Sequence, residues 1–361
     1  MKTAKDQLTN LNFPYPLLIA GPCSAETEDQ VMATAHQIMK YVPQATIFRA
    51  GIWKPRTRPG SFEGVGAAGL PWLQRVKKET GLLTAVEVAN KEHVELSLQA
   101  DVDIFWIGAR STVSPFIVQE IAETLRGTDK IVFVKNPVSP DLSLWLGAVE
   151  RLEHEGIKKV LAIHRGFSSY VKTQYRNNPE WQIALDLKQQ RPDLPLILDP
   201  SHMGGKRELL FDLCQTAYDL SYDGLMIETH ITPDNAWSDA EQQVTPEVLA
   251  TMLNKLEIKN SEVYKKEFQS ALLSLRTQID EIDSQIMVTL ANRMKISEKI
   301  GDLKLQNNVS ILQAERWKEV LKKMKMVASE QGLSEGFVEE IFKAIHQESI
   351  EHQVSIKSGK Q

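Results

Sequence analysis

The sequence predicts an α/β fold, a closed (β/α)₈ TIM barrel, followed by an all-α domain of three helices. Eight short apolar runs occur in the first two-thirds of the 361 residues, and each precedes a segment with helical periodicity. This alternation indicates a parallel sheet covered on both faces, and eight strands close such a sheet into a barrel. An open, doubly wound sheet is the competing prediction.

The eight apolar runs are the predicted strands of the barrel. They are Leu17–Ala20, Thr46–Phe48, Leu82–Val88, Asp103–Ile107, Ile131–Val134, Val160–Ile163, Leu196–Leu198 and Gly224–Ile227. Predicted helices between them include Asp29–Met39, Pro115–Leu125, Leu142–Leu152 and Arg207–Tyr218. We therefore assign residues 1–256 to the barrel.

The polar segment 257–266 is a predicted linker, and residues 267–361 form the predicted helical domain. Proline is absent from this domain, and apolar residues recur at helical spacing. The stripe on its first helix comprises Leu272, Leu275, Ile279, Ile282, Ile286, Leu290, Met294 and Ile300. Breaks at 306–310 and 332–334 leave two further helices. Three such helices cannot close a core alone, so we expect a homodimer or a higher oligomer.

Composition excludes several classes of protein. Lys and Arg number 42 against 47 Asp and Glu, a net charge of −5, which argues against a nucleic-acid partner. No apolar run approaches the roughly 18 residues of a membrane span, and the first residues lack the apolar stretch of a signal peptide. The two cysteines, Cys23 and Cys214, cannot build a disulfide framework. We therefore expect a cytoplasmic protein with no membrane association.

Residues that can bind anions or metals follow nearly every predicted strand. Since active sites of (β/α)₈ barrels lie at the C-terminal ends of the strands, these residues should meet at one rim. They are Cys23, Arg49, Glu87, Arg110, Lys135, His164, Arg165, Asp199 to His202, and Glu228. Packing alone would allow one or two such residues, so the pattern predicts an active site.

One subset has the chemistry of a metal site. Cys23, His202, Glu228 and Asp239 offer a thiolate, an imidazole and two carboxylates, a set that suits Mn, Fe, Co or Zn. No CxxC pair is present, so a closed structural zinc site is not indicated. A single cysteine is more often a buried apolar residue, but all four residues here lie at strand ends or in the loop beyond the last strand.

A second subset is basic and predicts anionic ligands, because Arg binds phosphates and carboxylates through two hydrogen bonds and Lys through a mobile charge. Its members are Arg49, Lys54, Arg56, Arg110, Lys135, Arg165 and Arg207. Basic residues are usually solvated at the surface, but that interpretation does not explain why these interrupt apolar strands.

Several motifs together resemble the metal-dependent 3-deoxy-D-arabino-heptulosonate 7-phosphate (DAHP) synthases, in their compact branch, over Leu11–Leu256. The motifs are GPCS at 21–24, FRAGIWKPRT at 48–57, GAR at 108–110, DPSH at 199–202, Glu228, and SDA at 238–240. The resemblance implies a (β/α)₈ barrel that condenses phosphoenolpyruvate with erythrose 4-phosphate at the entry to the shikimate pathway.

The resemblance also assigns roles to residues of the barrel. It implies that Cys23, His202, Glu228 and Asp239 hold one divalent ion, with Mn²⁺ favoured over Fe²⁺, Co²⁺ and Zn²⁺. Phosphoenolpyruvate would bind Arg49, Lys54, Arg110, Lys135 and Arg165. The sugar phosphate would bind Lys54, Pro55, Arg56 and Thr57. Lys54 is the candidate acid for the aldehyde oxygen, with His202 or a water at the metal as alternatives.

The helical domain resembles the all-helical chorismate mutases over about Ser270–Gln353. The resemblance carries their substrate-binding pattern onto Arg276, Arg293, Lys304, Arg316, Ser349 and Gln353. It implies that arginines hold the two carboxylates of chorismate, that Lys304 and Gln353 donate to the ether oxygen, and that Arg276 reaches the other subunit's site. Arg293, Lys304 and Gln353 are thus the candidate catalytic residues. Gln313 and Trp317 stand where acidic residues are common in that family.

The leading hypothesis is therefore a bifunctional enzyme, a DAHP synthase followed by a chorismate mutase. Because no sizeable domain is evident before Leu11, we expect prephenate to inhibit the synthase by binding the helical domain. In an alternative, this domain is only a regulatory module for chorismate or prephenate. In another, it is only a dimerisation element.

Overall fold

The computed structural model describes residues 3–55, 60–170, 172–258 and 266–357, with the backbone alone described at 266–271, 314, 356 and 357. These residues form two compact units, Met1–Ser261 and Glu262–Gln361. Among the helices of these described ranges, none combines the length and apolar character needed to cross a bilayer.

The first unit contains a closed barrel of eight parallel strands in sequence order, which confirms the predicted fold class. The strands are β1 Leu17–Gly21, β2 Ile47–Arg49, β3 Leu83–Val88, β4 Ile104–Ile107, β5 Ile131–Lys135, β6 Val160–His164, β7 Leu196–Leu198 and β8 Gly224–Glu228. Pairing of β1 with β8, from Leu17 with Gly224 to Gly21 with Glu228, closes the ring. The open, doubly wound sheet is thereby excluded.

Helices surround the barrel and connect its strands. They are α1 Ala4–Asn10, α2 Glu28–Tyr41, α3 Leu70–Thr80, α4 Lys91–Gln99, α5 Ala109–Thr112, α6 Pro115–Leu125, α7 Leu142–His154, α8 Trp181–Gln190, α9 Pro200–Gly204, α10 Leu210–Asp219 and α11 Pro246–Leu253. Short 3₁₀ turns cover Gly66–Gly69, Arg207–Leu209, Pro233–Asn235 and Ala240–Gln242. Leu8 of α1 packs into the core inside the barrel, so α1 covers one end of it.

Alternation along each strand separates two cores. Side chains such as Ile19, Ile47, Phe133, Ile163 and Met226 fill the barrel, whereas their neighbours in sequence pack against the helices. Successive side chains of a strand point to opposite faces. A residue two positions beyond the last inward-pointing side chain of a strand is therefore directed into the mouth of the barrel. This alternation decides which strand-end residues reach the site.

The second unit consists of three helices. They are α12 Lys266–Gln306, α13 Ala314–Glu330 and α14 Glu335–Lys357. Helix α12 has 41 residues, whereas α13 has 17. The gaps between these helices fall at the two predicted breaks. Among its described apolar side chains, only Met294, Ala328 and Val338 are buried.

Candidate active sites

The mouth of the barrel collects residues that share the interior register of their strands. Each of these residues lies an even number of positions after a side chain of the core inside the barrel. Arg49 lies two positions after Ile47, and Lys135 lies two positions after Phe133. The residues in this register are Cys23, Arg49, Glu87, Lys135, Arg165, Asp199 and Glu228. Five of the predicted cations and metal ligands are therefore brought to one cavity mouth by strand alternation.

Cys23 lies at the centre of this arrangement. Its sulfur is 2.7 Å from Lys54 Nζ and 3.1 Å from Asp239 Oδ2, and its backbone N–H donates to Gln243 Oε1. Burial, with the nearby charge of Glu228, raises the pKa of the Cys23 thiol to about 12, although Lys54 opposes this shift. A metal cation that replaces the thiol proton would offset the unfavourable free energy of a buried thiolate.

His202 is oriented by a buried chain of polar contacts. Lys135 Nζ lies 2.8 Å from Asp199 Oδ2, and His202 Nδ1 lies 3.0 Å from Asp199 Oδ1. Burial lowers the pKa of His202, which keeps the imidazole neutral. Its Nδ1–H therefore donates to Asp199, and Nε2 lies 3.6 Å from Glu228 Oε1 with its lone pair available.

Glu228 provides the test of whether this site fits a metal ion. Its Oε1 is buried and accepts no hydrogen bond among the described residues, with Arg49 Nη2 3.2 Å away as an ion pair. A sulfur, a nitrogen and an oxygen of Cys23, His202 and Glu228 lie within 4.8 Å of one another. Because a sulfur, a nitrogen and a carboxylate oxygen that accepts no hydrogen bond converge here, the donor set fits a divalent transition metal.

Asp239 lies on the loop after β8 and faces the same cluster. Its Oδ2 contacts the Cys23 sulfur, and its Oδ1 lies 2.9 Å from Arg176 Nη1. Although burial opposes it, the charge of Arg176 holds the pKa of Asp239 well below its usual range. The fourth predicted ligand thus contacts the Cys23 sulfur in its charged form, whereas the donor atoms within 4.8 Å of one another are those of Cys23, His202 and Glu228.

Buried cations lie next to the candidate metal ligands. Arg49 is 2 % exposed and lies 5.0 Å from the centre of the Trp106 ring, and its Nη1 has no hydrogen-bond partner among the described residues. Arg165 donates to Asn177 Oδ1 at 2.7 Å, and burial lowers the pKa of Arg165 to about 10. Two donors of this kind inside a protein call for a ligand of opposite charge.

The remaining residues predicted for the barrel site differ in their surroundings where the structure describes them. Arg110 lies on α5 with an exposed side chain. Pro55 is partly buried, whereas Arg56 and Thr57 lie outside the described residues. Glu87 accepts a hydrogen bond from Trp106 Nε1 at 3.0 Å. A Cβ built at Gly108 would lie 2.0 Å from Glu87 Oε1, so this glycine makes room for the carboxylate.

Two residues of the predicted rim serve other contacts. His164 shares the register of Ala162, which packs toward the helices, and its Nδ1 lies 2.8 Å from the Tyr222 hydroxyl. Burial lowers the pKa of His164 to about 3. Arg207 donates to the backbone oxygens of Gln243 and Ala240. His164 is therefore a core residue, and Arg207 fixes the loop that carries Asp239.

The helical unit contains a cavity of about 460 Å³ lined by five of its six predicted site residues. They are Arg293, Lys304, Arg316, Ser349 and Gln353. Gln353 Nε2 donates to Ser297 Oγ at 2.9 Å, and Lys304 Nζ lies 3.4 Å from Gln353 Oε1. Arg293 donates to Ser349 Oγ. Burial lowers the pKa of both Arg293 and Lys304, so each cation gains from an anionic ligand.

The sixth residue, Arg276, is exposed on α12 and does not line this cavity. Gln313 does line it, as does Trp317, whose ring stacks on His346 with centroids 4.2 Å apart. Burial and the charges of Arg293 and Lys304 lower the pKa of His346. The cavity therefore combines cations with neutral polar groups.

Fold and sites together define a barrel enzyme for anionic substrates with a candidate metal site, followed by a helical domain with a second anion site. Comparison with known proteins gives its family. The chain belongs to the DAHP synthetase I family, whose model matches residues 14–265. The chorismate mutase type II model matches residues 275–354.

Individual relatives match the barrel region. A phospho-2-dehydro-3-deoxyheptonate aldolase of Thermotoga maritima is 28% identical over 242 residues, which cover 67% of this chain and 69% of that protein. A 2-dehydro-3-deoxyphosphooctonate aldolase of Nitratidesulfovibrio vulgaris is 27% identical over 66% of this chain and 90% of its own. The crystal structure of the DAHP synthase of Thermotoga maritima matches with a TM-score of 0.59 and 26% identity, over 66% of this chain and 67% of that one.

The protein is therefore a DAHP synthase fused to a chorismate mutase, a bifunctional enzyme of the shikimate pathway. This result confirms the leading hypothesis from the sequence. Sequence reasoning did not identify Arg176, Asn177, Gln242 and Gln243, which contact the candidate metal ligands. They lie outside the strands, where no alternation marks which side chains turn inward.

Proposed function

We propose that the barrel mouth binds phosphoenolpyruvate through its buried cations and joins it to erythrose 4-phosphate. Arg49, Lys54, Arg110, Lys135 and Arg165 would bind the carboxylate and phosphate of phosphoenolpyruvate, and Lys54, Pro55, Arg56 and Thr57 the sugar phosphate. The observation that carries this proposal is buried Arg49, whose Nη1 has no hydrogen-bond partner among the described residues although its Nη2 pairs with Glu228 Oε1 at 3.2 Å. A buried guanidinium N–H without an acceptor favours an anionic ligand beside it.

In the reaction, the enol carbon of phosphoenolpyruvate forms a bond to the aldehyde carbon. Water then adds to the substituted carbon of phosphoenolpyruvate, and inorganic phosphate leaves. Phosphoenolpyruvate supplies three carbons, so a seven-carbon product requires a four-carbon aldose phosphate. The buried cations neutralise both substrates and hold the two reacting carbons together, which lowers the entropic part of the barrier.

Cys23, His202, Glu228 and Asp239 would hold one divalent ion, for which we favour Mn²⁺ over Fe²⁺, Co²⁺ and Zn²⁺. When bound, the ion supplies a Lewis acid that polarises the aldehyde oxygen. Lys54 Nζ, 2.7 Å from the Cys23 sulfur, would carry the proton that the aldehyde oxygen takes up. Asp199 keeps the Nδ1 proton on His202, which leaves Nε2 as the ligand atom.

Substitution of each free cysteine tests the metal site. Cys23 and Cys214 are both fully buried, but Cys214 lies on α10. We expect Cys23→Ala to abolish phosphate release and to bind no Mn²⁺, with an unchanged thermal midpoint. Cys214→Ala should retain activity. Wild-type activity in EDTA with no residual metal would refute the assignment of the metal ligands. A separate assay with five-carbon aldose phosphates tests the specificity for the aldehyde substrate.

In the helical unit, Arg293 and Arg316 would hold the carboxylates of chorismate. Lys304 and Gln353 would donate hydrogen bonds to the ether oxygen, where negative charge builds as its bond to the ring breaks. Ser349 contacts Arg293 and so would orient it. These roles are supported by the convergence of the five side chains on one cavity. Loss of chorismate turnover in Arg293→Ala, with normal DAHP synthesis, is the expected result.

We further propose that α12 pairs with α12 of a second copy of this chain. Leu275, Ile279, Ile282 and Ile286 are each at least half exposed and follow one another at spacings of four and three residues. Such a stripe can pack against itself in a two-fold dimer. The partner's Arg276 would then complete the mutase cavity. Ile282→Asp should yield monomers in light scattering and lower chorismate turnover.

Prephenate is the proposed feedback inhibitor of the synthase. It retains the two carboxylates of chorismate, so the same cations, Arg293 and Arg316, would bind it. We expect prephenate to inhibit DAHP synthesis in the wild type but not in Arg293→Ala. Equal inhibition of both would contradict the proposal.

The free cysteines Cys23 and Cys214 favour a reducing compartment, so we propose the cytoplasm as the site of action.

A further inference from the structure

We propose that Arg176 and Gln242 are positioning residues that hold Asp239 and Glu228 in the orientation required for metal binding. The inference rests on the proposed metal centre, since it concerns two of its four ligands. Neither Arg176 nor Gln242 belongs to a strand or reaches the metal-facing atoms themselves. Both act from behind the carboxylates.

The contacts form a continuous chain from one ligand to the other. Arg176 Nη1 donates to Asp239 Oδ1 at 2.9 Å and to Gln242 Oε1 at 2.7 Å. Gln242 Nε2 donates to Glu228 Oε2 at 2.6 Å. The amide accepts from a guanidinium through its oxygen and donates to a carboxylate through its nitrogen, so these two partners fix the orientation of Gln242.

Each contact occupies one carboxylate oxygen and leaves the other directed into the site. Arg176 takes Oδ1 of Asp239, and Oδ2 faces the Cys23 sulfur at 3.1 Å. Gln242 takes Oε2 of Glu228, and Oε1 is the buried oxygen without a hydrogen-bond partner among the described residues. The chain therefore selects which oxygen of each carboxylate would bind the metal.

Asp239 needs this support because its own backbone is under strain. Its φ of 50° lies in the left-handed region, where non-glycine residues are uncommon, and only a 3₁₀ turn follows it. Arg207 holds the carbonyl oxygens of Ala240 and Gln243 on the same loop. Arg207 thus fixes the backbone of the loop, whereas Arg176 fixes the carboxylate.

The segment that carries Arg176 is itself attached to the site. The backbone N–H of Arg176 donates to the carbonyl oxygen of Gly204, and a Cβ built at Gly205 would lie 2.6 Å from the Cβ of Arg176. The next residue, Asn177, accepts from Arg165 and donates to the carbonyl oxygen of His202. Arg176 is therefore placed by the same segment that joins the anion-binding Arg165 to a third metal ligand.

Metal affinity is the property that this arrangement should control. Removal of groups that orient metal ligands typically weakens affinity about 10- to 100-fold. We expect Arg176→Gln and Gln242→Met each to raise the Co²⁺ dissociation constant by a factor in this range. At saturating metal, both variants should recover most of their synthase kcat, because neither residue is among those proposed to bind the substrates.

The experiment is a Co²⁺ titration of the full-length, metal-free protein, followed by the thiolate-to-cobalt absorption band. Lys206→Gln is the matched control, because Lys206 is an exposed cation that lines the same cavity of about 440 Å³ beside Arg176 and makes no contact with a metal ligand among the described residues. Wild-type affinity in Arg176→Gln and in Gln242→Met would overturn the inference. Affinity lost equally in Lys206→Gln would also overturn it, since charge alone would then be the cause.

Failure of the proposed metal centre is a distinct outcome. No cobalt band in the wild type, or an unchanged band in Cys23→Ser, would overturn both the centre and the inference. Arg176→Lys retains a donor and should restore part of the affinity, whereas a loss of fold would appear in the thermal midpoint of the metal-free protein. Arg176→Lys that folds normally and binds no better than Arg176→Gln would show that hydrogen bonding to Asp239 is not the source of the effect.

Discussion

Replacement of Lys135 by methionine tests the energetics of the buried chain behind His202. Lys135 Nζ lies 2.8 Å from Asp199 Oδ2, and the two side chains are 6% and 0% exposed. Methionine fills a similar volume but leaves the Asp199 carboxylate without its cation. Removal of one partner of a buried ion pair costs about 3–5 kcal/mol, because the other charge remains buried. For a unit of this size, that loss lowers the thermal midpoint by about 10 °C.

The matched control is Lys159→Met at the surface. Lys159 Nζ lies 2.6 Å from Asp129 Oδ2, so the ion pair is as short, but Asp129 is 90% exposed. Exposed pairs contribute about 0.2–1 kcal/mol, so the midpoint should fall by no more than a few degrees. Calorimetry of the metal-free proteins measures both changes. Equal losses in the two variants would refute burial as the cause of the difference.

Two further predictions concern single residues. Gly21→Ala should destabilise the barrel, because φ is 141° there and a Cβ would lie 2.1 Å from the backbone oxygen of Arg49. Gly108→Ala should cost less stability, because the nearest atom to its Cβ is the end of the Glu87 side chain, which can move. Chemical denaturation measures both free energies of unfolding, and equal losses would contradict this difference. Gln353→Glu should make the mutase dependent on acid, because a glutamate can donate only when protonated and Lys304, 3.4 Å from Gln353 Oε1, favours its charged form. Its kcat/KM should then fall about tenfold per pH unit above the new pKa, in contrast to the wild type, and parallel pH profiles would contradict the role of Gln353 as a donor.

The strands and their terminal residues could be predicted closely from the sequence. Strands buried on both faces consist of nearly continuous apolar residues, so the first polar residue marks their end. Arg49, Lys135 and Glu228 each stand at such a point, and strand alternation then directs them inward. The same alternation, applied to β6, would have distinguished Arg165 from His164, which is directed toward the helices.

The loops were less predictable, because their conformation depends on contacts distant in sequence. Arg176 and Asp239 are 63 positions apart, and no periodicity relates them. The sequence predicts an anion-binding role for Arg207, because it gives the charge of a residue but not its partner. Backbone carbonyl oxygens of the loop at 240–243 occupy its guanidinium instead.

Closure of the barrel has a consequence for the order of events during synthesis of the chain. Gly21 of β1 pairs with Glu228 of β8, and Cys23 contacts Asp239 from 216 positions away. A ribosome must therefore release nearly the whole barrel before these groups can meet, so a nascent or truncated chain cannot sequester metal at this site. An ion held there would link the residues that follow the first strand and the last strand. It would therefore stabilise the barrel against separation of β1 from β8.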